Sequence, residues 1–213
     1  MAPQSLNAEL HHAAAAGDVV RLRAALAAGA DVDARMGVRD VSKTPLGSVV
    51  APGDKVSEDD RTACVRALLS AGASPSAPIT RSPGDRWMPL HEAAFLGLYT
   101  VCRLLLDAGA DVNVRQITNQ KPCHPPLYYA VSESNHKVIA LLISRGAVVS
   151  SDVEASIQKS PYLQNVRAAG SFANYEKQHR AKLVAMLAPK LGHLLPPELV
   201  SVVITFWAPV GLH

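Results

Sequence analysis

The chain has 213 residues, 48% of them hydrophobic but only 5% aromatic, and a formal net charge of +3. So little aromatic volume argues against one bulky globular core and for thin, alanine-rich helices in close contact, while charges scattered through the chain exclude a strongly basic nucleic-acid binder. No run of about 18 apolar residues occurs, and the start from Met1 to Leu10 has neither the basic opening nor the apolar stretch of a secretory leader, so the expectation is a monomer without a membrane segment, in the cytoplasm or the nucleus.

In chain order, the first unit spans residues 8–35. It opens on the polar Asn7-Ala8-Glu9, places Leu10, His11, Ala13 and Ala14 in a first helix, and puts Leu22 and Leu26 on the inner side of a second helix over 19–28. The second unit, 44–77, starts at Thr44-Pro45-Leu46 and ends at Leu68-Leu69-Ser70-Ala71-Gly72-Ala73. From Leu46 to Gly72 it runs seven residues longer than the matching interval of the next unit, and the surplus falls near 52–60, where Pro52-Gly53-Asp54 through Asp60 reads as an exposed loop behind a shortened first helix. The third unit, 88–115, has Pro89 in a first helical turn, the small pair Ala93-Ala94, a break at Gly97, then Val101, Leu104 and Leu105 at helical spacing before Gly109. The fourth, 125–151, repeats Pro126-Leu127, Ala130, Leu141-Leu142-Ile143 and Gly146-Ala147, with Ser134 where the third unit has Gly97. The closing glycines at 29, 72, 109 and 146 are 43, 37 and 37 residues apart. One such unit cannot bury its own apolar face, so its neighbours must supply the cover.

Met88-Pro89-Leu90-His91, the Ala93-Ala94 pair and the ending Leu104 to Asn113 resemble an ankyrin repeat, whose pattern begins Thr-Pro-Leu-His and ends Leu-Leu-Leu-x-x-Gly-Ala-Asp-Val-Asn. Met88 departs from that pattern, as does Gly47, which stands where the histidine belongs. The resemblance implies an all-α solenoid over 1–150, four helix-turn-helix repeats joined by finger loops longer than the family's spacing of about 33 residues requires. A helical C-terminal cap would occupy 151–213, with a short helix over 152–159 and a longer one over 171–187, the latter striped by Tyr175, Leu183, Met186 and Leu187. The last apolar element carries a second resemblance: Leu195-Pro196-x-Glu198-Leu199 followed by Val203 and Trp207 is similar to the opening of an F-box, which implies docking on the adaptor subunit of a cullin ubiquitin ligase. The alternative is that residues 152–207 form a degenerate fifth repeat and cap that shield the exposed edge of the fourth repeat.

Candidate chemistry is sparse. Cys64 and Cys102 fall at or beside core positions and Cys123 sits beside His124 without further ligands, so all three read as structural thiols, with no metal and no cofactor implied. His91 occupies the family histidine, whose implied task is hydrogen bonding between repeat loops. No nucleophile and base are evident, and the chain reads as a non-enzyme. Asn113, preceded by Asp111-Val112 and with Leu105 eight residues upstream, resembles the ankyrin sequence favoured by an asparaginyl hydroxylase. The family's variable positions map onto Phe95 and Leu96, with Arg86 and Trp87 at the finger base and Tyr129 on the next repeat. Exposed, these would form a groove with the residue types of interface hot spots, for an unidentified partner protein. The alternative for Trp87 is that the second finger folds back over it.

Overall fold

A computed structural model of the chain describes residues 3–38, 41–51, 56–80, 84–118, 121–158 and 161–169, with short runs between 174 and 189. The first compact unit, Met1–Val149, is a stack of helix pairs: α1 (Pro3–Ala16) with α2 (Val19–Ala27), α3 (Pro45–Val50) with α4 (Glu58–Ser70), α5 (Pro89–Phe95) with α6 (Tyr99–Asp107), and α7 (Pro126–Ser132) with α8 (His136–Ser144). Within the stack α1, α3, α5 and α7 touch in succession to make one layer, and α2, α4, α6 and α8 make the other. This is the all-α solenoid that the repeated pattern implies.

Each of these eight helices delivers one fully buried leucine to the space between layers: Leu10, Leu22, Leu46, Leu68, Leu90, Leu105, Leu127 and Leu142. Truncating any of them would cost about 2–5 kcal/mol. Ala13, Ala14, Ala93, Ala94 and Ala130 are buried beside them and allow the first helices to approach closely, while Leu26 is only half-buried. Cys64 and Cys102 are buried too, and burial pushes the Cys64 thiol up to about 11 and raises that of Cys102 further.

Helix starts follow from local chemistry. Asp18 accepts hydrogen bonds from the N–H groups of Val20 (3.1 Å) and Arg21 (3.0 Å), and Thr44 accepts one from Gly47 (3.2 Å). Pro45, Pro89 and Pro126 each occupy a first turn, where a missing N–H costs nothing.

The second repeat departs from the exposed loop read at 52–60. Glu58, Asp59 and Asp60 form the first turn of α4 instead, because Ser57 caps it (Asp60 N–H to Ser57 Oγ, 3.1 Å) and three carboxylates favour the positive end of the helix. The surplus therefore makes α4 13 residues long and leaves α3 with six. Gly47 also has a physical reason. A Cβ there would lie 2.9 Å from Ile79 Cγ1, so the space that a histidine fills in the first and third repeats is filled here by Ile79, which reaches in from the following finger.

Between the helix pairs the chain makes short hairpins. β1 (Met36–Val38) pairs antiparallel with β2 (Val41–Lys43), and β3 (Ile117–Thr118) with β4 (Lys121–Pro122). Between them, Ile79 bridges Trp87.

The second unit, Ser150–His213, contains α9 (Ser151–Ile157) and α10 (Pro161–Ala168), with Val153, Ile157 and Val166 buried. The helix α10 falls between the segments 152–159 and 171–187 that the sequence marks as helical, and Pro161 is its first residue, a position proline suits. Of the helix read over 171–187 only short runs are described, Met186 among them and exposed. Leu195, Pro196, Glu198, Leu199, Val203 and Trp207 lie outside the described residues. No helix among the described residues is long and apolar enough to cross a membrane.

The turn between α7 and α8 offers a test. Ser134 stands at φ 58° where its counterpart Gly97 has φ 72°, and left-handed backbone costs a residue with a Cβ about 1–2 kcal/mol. Ser134→Gly should stabilise the chain by about 1 kcal/mol, read as a higher urea midpoint with an unchanged slope, whereas Gly97→Ala should destabilise it, since its Cβ would lie 2.6 Å from Asn135 Oδ1.

Candidate protein-binding site

The fingers join edge to edge. Thr80 N–H donates to Ser42 O (2.9 Å), linking the second finger to the first, and Arg86 and Ile117 exchange backbone hydrogen bonds (2.8 and 3.1 Å), linking it to the third. Arg35 reinforces the first junction: its guanidinium donates to Ser42 Oγ (3.0 Å), Ser42 O (3.2 Å), Pro78 O (3.0 Å) and Thr80 Oγ1 (3.2 Å). Each two-stranded finger alone would be marginal in water, and pairing sideways holds all three.

Under the platform lies a polar and aromatic layer. His91 is fully buried, its Nδ1 accepts from Met88 N–H (3.2 Å), and its Nε2 lies 3.1 Å from Val114 O, so the proton must sit on Nε2. His11 holds the corresponding place in the first repeat, with Nε2 2.7 Å from Ala34 O and Nδ1 3.1 Å from Ser48 Oγ of the second. Trp87 packs on Tyr129 (ring centroids 4.6 Å) and His91 (5.5 Å), and the Tyr129 hydroxyl donates to Gln116 Oε1. His124 stacks on Tyr128 at 3.8 Å.

A buried charge ties the second repeat to the third. Arg61 donates to the carbonyls of Val49 and Ala51, and although burial pulls its guanidinium below the ordinary value, the nearby carboxylates of Glu92 and Glu58 oppose that shift. Glu92 itself is buried on α5. Such a charge is held only because hydrogen bonds and a counter-charge surround it.

Of the residues grouped by sequence, Trp87 requires correction. It is 7% exposed, because Tyr129 from the following repeat covers it, so it supports the platform from beneath and does not present an interface side chain. Arg86 is exposed on the second finger and Tyr129 is half-buried. Phe95 is 40% exposed at the far end of α5, with Leu96 half-buried beside it. A seven-residue helix is about 10 Å long, so Phe95 and Leu96 are set apart from Arg86 along α5 and do not form one patch with it. The Phe95 backbone is fixed: Asn135 Nδ2 donates to the carbonyls of Ala94 and Phe95, both at 2.9 Å.

Asn113 is committed within the array. Its Nδ2 donates to Gly146 O (3.1 Å) and its Oδ1 accepts from Val148 N–H (2.8 Å), as the Asp33 carboxylate accepts from Ser74 N–H (3.1 Å) two junctions earlier. The Cys123 thiol is half-buried and 3.5 Å from Lys121 O. Among the described residues no group of three or more His, Cys, Asp or Glu is placed to hold a metal ion. Sequence reasoning missed Arg35, Ile79 and Gln116, which build the platform, and Asn135, which holds the far end of α5. A hint was available in the polar residues that flank each finger, but none marks a partner.

A family model described as ankyrin repeats (3 copies) matches residues 10–116 and again 56–153. Among curated proteins, an ankyrin repeat-containing protein of Treponema pallidum is 36% identical over 52% of this chain and 33% of its own length. The ADP-ribosylation factor GTPase-activating protein AGD4 of Arabidopsis thaliana is 38% identical over 27% of this chain and 7% of its own. The E3 ubiquitin-protein ligase KEG of the same plant is 27% identical over 49% and 6%. The chain thus spans a third or less of each of these relatives.

The buried imidazole makes stability depend on acid. An unfolded His91 takes up a proton near its ordinary 6.5, while burial, partly offset by its hydrogen bonds to carbonyls, holds the folded group down to about 4. The stability contribution is therefore intact above pH 6.5 and lost as the pH falls toward 4, by about 3 kcal/mol from this residue. Burial lowers His11 in the same direction. Urea midpoints measured across this window should fall with acid in the native chain and fall less in His91→Gln; parallel curves would refute the assignment.

Proposed function

The chain belongs to the ankyrin-repeat family, and from that premise we propose that it is a non-catalytic recognition module that holds a partner protein along the layer of first helices, from the finger platform to the far end of α5. The observation that carries this reading is the sideways hydrogen bonding of the three fingers, which presents Arg86 on fixed backbone, together with a 40% exposed Phe95 whose carbonyl is pinned by Asn135. A surface ordered before binding loses little conformational entropy when a partner arrives. Aromatic and arginine side chains are the types that most often dominate interface energetics. The non-catalytic part of the reading is supported by His11 and His91, whose ring nitrogens are both engaged in holding loops. The named activities of the plant relatives are not carried over, since this chain matches 7% or less of those proteins.

Affinity capture followed by quantitation tests the reading. Phe95→Ala should lower retention of captured protein by about fivefold to tenfold with unchanged thermal unfolding, as expected for an interface contact worth about 1 kcal/mol or more. Val20→Ala, at a 74% exposed position on α2 in the other layer, should have no effect. Equal retention by Phe95→Ala and the native chain would sink the proposal.

A further inference from the structure

The chain's small basic surplus falls within the sequence of the finger segments. The finger segments 35–43, 78–88 and 115–124 contain seven basic and two acidic residues, a surplus larger than the +3 of the whole chain, so the remainder is net acidic. A groove of about 770 Å³ opens among the fingers, lined by Arg35, Pro78, Thr80, Gly84, Asp85, Arg86 and Ile117. That volume suits a short peptide or a small molecule.

We propose that this groove binds an extended acidic peptide segment of a partner protein, with side-chain carboxylates on Arg86 and Arg35 and an apolar residue against Ile117. The proposal rests on the recognition reading above and specifies its partner. The two guanidiniums are prepared differently. Arg35 is locked by four hydrogen bonds to the first and second fingers, so its charge is fixed in place. Arg86 has its backbone fixed by the bridge to Ile117, while its exposed side chain makes no hydrogen bond or ion pair with another described residue. A planar guanidinium with uncommitted N–H donors is the group best matched to a carboxylate, which it can engage through two parallel hydrogen bonds.

The groove favours a peptide over a nucleic acid for two reasons. No aromatic residue is among its described lining, so bases would find no stacking platform. Asp85 shares the wall with the arginines. It disfavours a backbone that carries a charge on every unit, whereas a peptide bears its carboxylates on side chains and can place them away from Asp85.

The test uses the full chain and fluorescence anisotropy with three labelled probes: an octapeptide of Glu residues containing one Leu, its Gln counterpart, and a single-stranded oligonucleotide of equal net charge. The acidic peptide should bind, weakening as salt rises to about 0.15 M because the contacts are partly exposed, and the Gln peptide should not. Arg86→Gln should weaken the acidic peptide about tenfold and Arg86→Glu further, with thermal unfolding unchanged, while Val20→Ala binds as the native chain does. Absence of binding, equal binding by Arg86→Glu, or tighter binding of the oligonucleotide would overturn the proposal. The Phe95→Ala capture result judges the broader reading separately, so a failed groove and a failed recognition surface can be told apart.

Discussion

A pair of short helices has apolar surface facing along the stack on both sides and can remove it from water only against another pair. Everything else in the first unit is arranged by that constraint. The eight buried leucines mark where the two layers meet, and the alanine pairs let the first helices come close enough for the meeting to be dry. With so few aromatic residues, close approach is how this chain excludes water at all.

Stacking by leucine and alanine is nonspecific about register, and polar groups supply what it lacks. At the first junction Asp33 takes the Ser74 N–H and His11 reaches Ser48; at the third, Asn113 joins Gly146 and Val148 and Asn135 holds the end of α5. The second junction is made differently, by Ile79 seated over Gly47 and by Arg61 near Glu92. Each polar stitch satisfies backbone groups that the helix ends and loops leave over, so the same bonds that fix repeat spacing also close the hydrogen-bond inventory. The platform inherits its rigidity from them.

The helix pairs were legible in the amino-acid order because their signals are local: a proline in the first turn, a small-residue pair, leucines at helical spacing and a glycine just past the end. What escaped notice depends on distant partners. Trp87 reads as an interface residue until Tyr129, 42 residues later, is seen lying on it, and Gly47 reads as a defect until Ile79, 32 residues later, fills its space. Glu58 to Asp60 looked like loop because acidic residues favour water, yet the same charges suit a helix start once Ser57 caps it. Arg61 and Glu92, each ordinary alone, become informative only when burial is known.

The seating of Ile79 against Gly47 sets a limit on modularity. Repeat arrays invite shuffling, since units of similar outline can in principle be exchanged, duplicated or removed. Here the second unit borrows part of its interior from the connector that follows it. A chimera that kept residues 44–73 but took another connector would inherit an unfilled hole, and one that restored a histidine at 47 while keeping Ile79 would overfill it. Anyone cutting this array into interchangeable parts should treat the span from Thr44 through Trp87, the far side of the second finger, as a single indivisible cassette.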